Sequence, residues 1–253
     1  MPITKGRRSI QTESGMLFNN LLWFGFILAD LCLATLIYRF FGKFGLYAII
    51  VASVITANIQ VLKTVQLFGL VATLGNVLYA SIFFATDILS EVYGKKAARR
   101  GVWLGFIGMA LMTVWMQIGL QFIPDASDFA QGALSTIFGL MPRIAAGSMV
   151  AYLLSQHHDV FAFHFWKNKT KGRLLWLRNC ASTMVSQAID TVIFCTIALW
   201  GVFDTNTWLQ ILATTYFLKW IVAVIDTPFI YLAKSFSPTV VTKESDIKLV
   251  ESE

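Results

Sequence analysis

Seven long apolar runs constrain this chain more than any other feature, because a helix that crosses a bilayer needs about 20 mainly apolar residues. The runs occupy residues 17–38, 44–62, about 65–93, 101–123, 143 to about 165, about 178–203 and 208–233. Of the 253 residues, 57% are hydrophobic and only 13% are charged, and both values depart from those of soluble domains. The sequence therefore predicts an all-α fold, a polytopic transmembrane helix bundle.

Polar segments at the two ends delimit the predicted transmembrane domain. They divide the chain into an N-terminal tail at 1–16, a single transmembrane domain at 17–235 and a C-terminal tail at 236–253. The C-terminal tail is polar throughout, and we expect it to be disordered in the cytoplasm. The first run lacks a small-residue cleavage site, so no removable signal peptide is expected. The connection after the fourth run predicts a short interfacial helix before Pro142.

The distribution of Lys and Arg orients the spans, because short cytoplasmic loops carry an excess of these residues. Bases follow the third run (Lys95, Lys96, Arg99 and Arg100) and separate the fifth run from the sixth, whereas the connections after the fourth and sixth runs have none. This pattern predicts seven spans, with the N-terminus outside and the C-terminus in the cytoplasm. The bases of the N-terminal tail disagree, and with that tail inside the count falls to six.

The net charge of +6 and the three cysteines exclude several other functions. The bases form short clusters between apolar runs, so a nucleic-acid partner is not indicated. All three cysteines lie inside apolar runs without zinc or disulfide spacing. Adjacent His157 and His158 diverge by about 100° on a helix and make a poor metal pair. We expect no metal and no cofactor, and we find no catalytic or nucleotide-binding motif.

Ionisable residues inside the predicted spans are the strongest functional signal. Each charge costs roughly 2.5 to 3.5 kcal/mol near the bilayer centre, and such residues normally face the bundle interior and mark a site. They are Asp30, Asp87, Asp159, Asp190, Lys219 and Asp226. Asp87 and Glu91 are four residues apart and share one helix face.

Each of these residues also has a purely structural interpretation. Glu91 can pair with Lys95 in the favourable i, i+4 order. Lys219 can neutralise either Asp190 or Asp226, and Asp30 suits a helix-packing role. Arg143 follows Pro142 in the first turn of its helix, where the macrodipole disfavours a cation, so either a carboxylate or a dipolar ligand should compensate it.

Aromatic and small residues permit two further predictions. Phe83 and Phe84 precede Asp87 by one turn, so a ring there can stack on a planar heterocycle that hydrogen-bonds the carboxylate, although plain packing explains the same spacing. The glycines suit close helix packing, as at Gly69, Gly75, Gly101, Gly105 and Gly108.

Three blocks of the chain resemble a known family. They are FFATDILSEVYGKKAARR, PRIAAGSMVAYLLSQHHDVFAF and LWLRNCASTMVSQAIDTVIFCTIALWG, in this order. The chain resembles the queuosine precursor transporter family of bacterial and archaeal membrane proteins, over about residues 45–231. The resemblance implies uptake of a 7-deazaguanine, such as 7-cyano-7-deazaguanine or its aminomethyl relative, and a core of six helices preceded here by one extra helix.

The resemblance also implies a location in the inner cell membrane and functional polar positions, which are Asn58, Asp87, Glu91, Arg143, Gln156, Asp159, Arg178, Gln187, Asp190 and Lys219. Adding the aromatic and buried candidates from the preceding paragraphs, we expect substrate binding at Asn58, Phe83, Phe84, Asp87, Glu91, Arg143, Gln187, Asp190 and Lys219. We expect a proton relay or a structural role for Gln156, Asp159, Arg178 and Asp226. A deazaguanine edge offers adjacent N–H donors to a carboxylate and a carbonyl to Asn, Gln, Arg or Lys, which fits this set.

Three functional classes remain open from the sequence. The first is an autonomous transporter, whose partners are the 7-deazaguanine and the lipid bilayer. The second is a substrate-capture subunit that requires an energising partner. The third is an intramembrane enzyme, which would need acids clustered near one leaflet edge. The sequence also leaves a homodimer open.

Overall fold

The structure is a computed structural model that describes the backbone at residues 3–169 and 175–235. Side chains are described at 15–94, 96–155, 158, 184–233 and 235. The C-terminal tail that we predict to be disordered lies outside these residues. The regular secondary structure of the described chain is helical apart from one short hairpin, so the all-α class is confirmed in outline.

Seven α-helices occur in the described part of the chain. They are α1 (Ile3–Gln60), α2 (Tyr79–Tyr93), α3 (Lys95–Gly119), α4 (Gln131–Phe138), α5 (Met141–Lys169), α6 (Leu175–Phe194) and α7 (Thr205–Lys234). A 3-10 helix at Leu74–Leu78 precedes α2, and a π-helical turn at Cys195–Leu199 extends α6. Helix α4 confirms the short helix predicted before Pro142.

Four helical segments in the described residues are long and apolar enough to cross a membrane. They are Gly15–Gln60, Lys96–Gly119, Gln131–Ser155 and Thr205–Ala233, and a shorter apolar stretch spans Met184–Leu199. These segments support a multi-pass membrane protein.

The first two predicted runs lie within the single helix α1, on either side of Gly42. Gly42 has φ 54° and ψ −134°, which are not helical and which residues with a Cβ rarely adopt. The apolar segment of 46 residues is roughly 70 Å long at 1.5 Å per residue, more than twice the hydrocarbon thickness. Gly42 therefore separates two helical stretches that match the first and second runs.

The prediction of one continuous helix over the third run, 65–93, is wrong. Its first part is an antiparallel hairpin of β1 (Thr64–Leu67) and β2 (Leu70–Thr73), and only α2, with 15 residues, is α-helical. Phe68 and Gly69 both have positive φ, 53° and 82°, as a tight two-residue hairpin turn requires. Gly69 is therefore a turn residue and does not serve helix packing. Hydropathy alone cannot distinguish short apolar strands from a helix.

The chain forms two compact units, each with its own interior. Unit 1 comprises Met1–Asn20, Asn58–Asn76 and Met109–Ile221, and unit 2 comprises Leu21–Ala57, Val77–Gly108 and Val222–Glu253. A buried cluster in unit 1 brings together Val61, Met141, Ile144, Ala151, Phe194, Cys195, Ala198, Leu199 and Ile211. This cluster packs α5 against the end of α6 and its π-helical turn.

Polar side chains of two helices hold the hairpin within unit 1. Asn20 of α1 accepts a hydrogen bond from the Phe68 N–H at 3.0 Å. On α7, Gln210 accepts from the Val71 N–H at 3.1 Å, and Thr214 donates to the Val71 carbonyl at 2.9 Å. Strand edges do not occur exposed to lipid, and these side chains satisfy the free edge of β2.

Three glycines let α3 pack closely on the second half of α1 in unit 2. A Cβ added to Gly101 would lie 2.8 Å from the Ile50 side chain, and one added to Gly108 would lie 2.8 Å from that of Val51. At Gly105 the closest approach would be 3.1 Å. The prediction that these three glycines serve close helix packing is confirmed.

Asp30 of α1 fixes the start of α2 in unit 2. Helix α2 has no side-chain cap from Leu78, its N-cap residue. Instead, the Asp30 carboxylate accepts a hydrogen bond from the Ser81 N–H at 3.1 Å, and the buried Ser81 hydroxyl lies 2.8 Å from that of Ser53. The expected packing role of Asp30 is thus realised as a cap supplied from a neighbouring helix.

Asp30→Ala should lower the free energy of unfolding by about 1–2 kcal/mol, because the Ser81 N–H loses its acceptor. Asp30→Asn keeps an acceptor oxygen and should remain close to wild type. Thermal unfolding of the purified protein in detergent measures both variants. An alanine variant as stable as wild type would show that this cap contributes nothing.

Candidate functional site

An ion pair between two helices is the central polar feature of unit 1. The Lys219 ammonium of α7 donates to an Asp190 carboxylate oxygen of α6 at 2.5 Å. The lysine side chain is 4% exposed and the aspartate side chain 25% exposed. Of the two partners predicted for Lys219, the structure therefore shows Asp190. The aspartate is therefore the more accessible partner of the pair.

Gln187 and Cys195 lie one turn to either side of this pair on α6. Gln187 is half-buried, three residues before Asp190, so both side chains project from the same face. Cys195 is fully buried, its thiol hydrogen-bonds with Thr215, and it lies close enough to interact with both charges of the pair. The pair therefore has an amide on one side and an apolar boundary on the other.

Asn58 is tied to α5 within unit 1. Its side-chain oxygen accepts a hydrogen bond from the Ser148 hydroxyl at 2.9 Å. Ser148 was not predicted from the sequence, since a single serine in an apolar run carries no recognisable signal. This bond uses the Asn58 oxygen and directs it toward α5.

Arg143 has backbone partners at the end of the π-helical turn. Its Nε donates to the Ile197 carbonyl at 2.5 Å, and its Nη2 donates to the Trp200 carbonyl. These carbonyls belong to the C-terminal end of α6 and its extension, where partial negative charge accumulates. The compensation predicted for this cation therefore comes from a helix terminus, and these two bonds involve neither a carboxylate nor a ligand.

Pairwise electrostatic interactions link three carboxylates of unit 2. Asp87 and Glu91 are exposed on one face of α2, and their charges interact. Asp226 of α7 is buried, with 3% exposure, and lies near enough to Asp87 for the two charges to interact. The sequence predicts a relay or a structural role for Asp226, and its charge interacts with that of Asp87, a predicted substrate ligand.

The two predicted stacking residues differ in accessibility. Phe84 is fully buried in unit 2, whereas Phe83 is half-buried and stacks on Tyr79 with ring centroids 6.0 Å apart. Only Phe83 of these two offers ring surface to a ligand without repacking.

Some predicted residues lie outside the described side chains. They are Gln156, Asp159, Arg178 and the helix-pairing candidate Lys95. Between α5 and α6, the His158 Nδ1 lies 3.1 Å from the Ser186 hydroxyl oxygen. Among the residues that the structure describes, no group of three His, Cys, Asp or Glu side chains is placed to hold a metal ion.

Two acids outside the membrane-spanning segments have local roles. Asp204 accepts hydrogen bonds from the N–H and hydroxyl of Thr207 and caps the start of α7, and these bonds hold the pKa of its carboxyl below the ordinary value. Asp125 accepts hydrogen bonds from the N–H and hydroxyl of Ser127, and these bonds hold the pKa of the Asp125 carboxyl below the ordinary value. Both are exposed, and they serve as matched controls for the acids within the spans.

Fold and polar groups together define a class of protein. A multi-pass membrane protein that holds ionisable side chains inside its helices belongs to the class in which such residues mark transport pathways. Comparison with known proteins gives the family. The profile described as "Putative vitamin uptake transporter" matches residues 73–233.

Named relatives agree with this match. A probable queuosine precursor transporter of Bacillus subtilis is 47% identical over 223 residues, covering 88% of this chain and 97% of the relative. The queuosine precursor transporter of Escherichia coli is 30% identical over 173 residues, covering 67% of this chain and 76% of the relative. A probable queuosine precursor transporter of Haemophilus influenzae is 26% identical over 175 residues, covering 68% of this chain and 72% of the relative. No solved structure matches the chain.

The chain belongs to the queuosine precursor transporter family, which confirms the resemblance found in the sequence. It is a membrane transporter and not an enzyme.

Proposed function

We propose that this protein imports queuosine precursors, 7-cyano-7-deazaguanine or 7-aminomethyl-7-deazaguanine, across the inner cell membrane. The names of its relatives support the substrate class. The observation that carries the proposal is the ion pair of Asp190 and Lys219, in which the aspartate side chain is partly exposed and the lysine side chain is buried. We further propose the seven-span topology, with the N-terminus outside.

The chemistry of the pair matches the edge of a guanine-like base. That edge presents a carbonyl, a ring N–H and an exocyclic amine in one row. Asp190 can accept from the two N–H donors side by side, and Lys219 can donate to the carbonyl. A substrate that inserts between the two side chains therefore replaces their direct bond with complementary bonds to each. Gln187, one turn away, supplies a further amide for the same edge.

Pairing also stabilises the two charged side chains before a substrate binds. A lone carboxylate or ammonium within the membrane is costly, and pairing reduces this cost. The substrate then competes with an internal bond, which rejects ligands that lack either the donors or the acceptor. Asn58 in unit 1, and Phe83, Asp87 and Glu91 in unit 2, remain proposed substrate contacts.

Asp190→Asn should reduce uptake of radiolabelled 7-cyano-7-deazaguanine at least about 100-fold, because the amide offers one acceptor oxygen where the carboxylate offers two and because the ion pair with Lys219 is lost. The measurement uses purified protein in liposomes, which also separates a transporter from a capture subunit that needs an energising partner. Asp204→Asn is the matched control, since asparagine caps a helix equally well. Undiminished uptake by Asp190→Asn at equal protein levels would refute this site.

Competition by unlabelled bases tests the recognised edge directly. Guanine shares the carbonyl and both N–H donors and should compete with the labelled substrate. Adenine lacks the carbonyl and the ring N–H and should not. Equal competition by both bases would exclude the proposed hydrogen bonds.

A further inference from the structure

Asp226 is a buried carboxylate without a neutralising partner in the described part of the structure. Its side chain is 3% exposed, and it forms no hydrogen bond or ion pair with a side chain that the structure describes. The helix around it is apolar, and Pro228 follows two residues later. A carboxylate in such surroundings is costly to keep charged unless it binds a cation or a proton.

The charges nearest to Asp226 increase this cost. Asp87 of α2 acts on Asp226, and Glu91 acts on Asp87, so both neighbouring influences are negative. The basic side chains that the structure describes in unit 2 form no ion pair with Asp226; they are Arg39, Lys43, Lys96, Arg99 and Arg100. The remaining acid, Asp30, accepts a hydrogen bond from the Ser81 N–H. Tyr38 and Tyr93 hydrogen-bond to each other. Two carboxylates that repel each other hold one proton between them more readily than two charges.

Asp87 connects this buried acid to the surface of the unit. It is exposed, together with Ser90 and Glu91 on the same face of α2. Ionisable side chains at membrane depth normally face either the bundle interior or a water-filled cavity. Asp87 is therefore the acid of the two that water can reach.

We propose that Asp226 is the proton-binding group that couples import to the transmembrane proton gradient, with Asp87 as its exchange partner. The inference rests on the proposed function, because it requires a transported substrate. In each cycle one O–H bond forms on Asp226 as a proton leaves water through Asp87. The same bond breaks when the carboxyl opens to the cytoplasm, and the proton passes to water there.

A proton fits this group better than a metal ion does. Metal ions such as Ca²⁺ take six to eight oxygen ligands, and Mg²⁺ takes six. The described residues contain no cluster of three acids, histidines or cysteines in ligating geometry. Two carboxylates are sufficient to share one proton, as coupled acid pairs do.

The test is uptake of radiolabelled 7-cyano-7-deazaguanine by the full-length protein in liposomes with pyranine inside. An inward proton gradient of one pH unit should raise substrate accumulation up to about tenfold for one proton per substrate, since both correspond to the same free energy. With equal pH on both sides and no gradient, added substrate should acidify the lumen. An inward sodium gradient at equal pH should have no effect.

Asp226→Asn should abolish both the stimulation and the lumenal acidification while keeping exchange of internal for external substrate. Asp226→Glu retains a titratable group and should keep part of the coupling. Asp125→Asn is the control, because this acid lies in an exposed loop. The wild-type measurements require no variant, so a variant that fails to fold does not prevent the test.

The outcomes separate this inference from the proposed function. Absence of uptake and exchange in the wild type would overturn the proposed function itself. Uptake that ignores the proton gradient, or that follows sodium, would overturn the coupling while leaving the substrate assignment intact. Proton coupling that persists in Asp226→Asn would overturn the assignment to this residue.

Discussion

Lys219→Met is expected to destabilise the protein by about 3–5 kcal/mol and to reduce uptake at least about 100-fold. The substitution removes one partner of a buried ion pair and leaves Asp190 as an uncompensated charge in the membrane interior. It also removes the donor that we assign to the substrate carbonyl. Thermal unfolding in detergent and uptake in liposomes measure the two effects separately.

The double variant Asp190→Asn with Lys219→Met distinguishes a structural pair from a substrate site. With both charges removed, most of the lost stability should return, because neither side chain is left charged and unpaired. Uptake should remain lost, since neither the carboxylate nor the ammonium is available to the base edge. Lys63→Met, which changes an exposed lysine, is the control. Recovery of uptake in the double variant would mean that the pair serves stability alone.

The features that the sequence predicted well depend on the membrane as a solvent. Apolar length predicted most of the helices, and the rarity of charge within the spans singled out Asp190, Lys219 and Asp226. The spacing of Gly101, Gly105 and Gly108 predicted a close helix contact, which the structure confirms. These signals are strong because unpaired backbone groups and charged side chains both cost free energy in lipid.

Other features could not be predicted because they depend on tertiary partners. The hairpin at 64–73 is as apolar as a helix, and its pairing is stabilised by Gln210 and Thr214, about 140 residues further along the chain. Asp30 resembles a lone acid until the start of α2 is seen beside it. The choice of Asp190 over Asp226 as the partner of Lys219 likewise required the packing of α6 and α7, since both acids fit the sequence pattern.

Arg143 shows most clearly how a partner changes the interpretation of a residue. As a cation in the first turn of α5, it suggested a carboxylate or a bound ligand. In the structure its guanidinium donates to the carbonyls of Ile197 and Trp200, at the end of the helix that carries Asp190. Gly147, one turn further along α5, permits this approach, because a Cβ there would lie 3.3 Å from Ala198. Arg143 therefore positions the end of α6.

Arg143→Met should lower the free energy of unfolding by about 2 kcal/mol or more, because two carbonyls at a helix end lose a charged donor. Arg143→Lys should recover only part of this loss, since a single ammonium cannot reproduce the planar fork that reaches both oxygens. The KM of the folded protein for 7-cyano-7-deazaguanine should stay within about threefold of wild type, because these bonds leave the base edge to Asp190 and Lys219.

Stability and KM together decide between the two roles of Arg143. A positioning residue lowers the unfolding temperature and the amount of active protein, with a nearly constant KM. A residue that binds the substrate instead raises the KM when it is replaced and leaves the unfolding temperature nearly constant. If Arg143→Met unfolds at the wild-type temperature and its KM rises about tenfold or more, the guanidinium must leave the helix end and contact the transported base, and the carbonyl bonds would belong only to the substrate-free state.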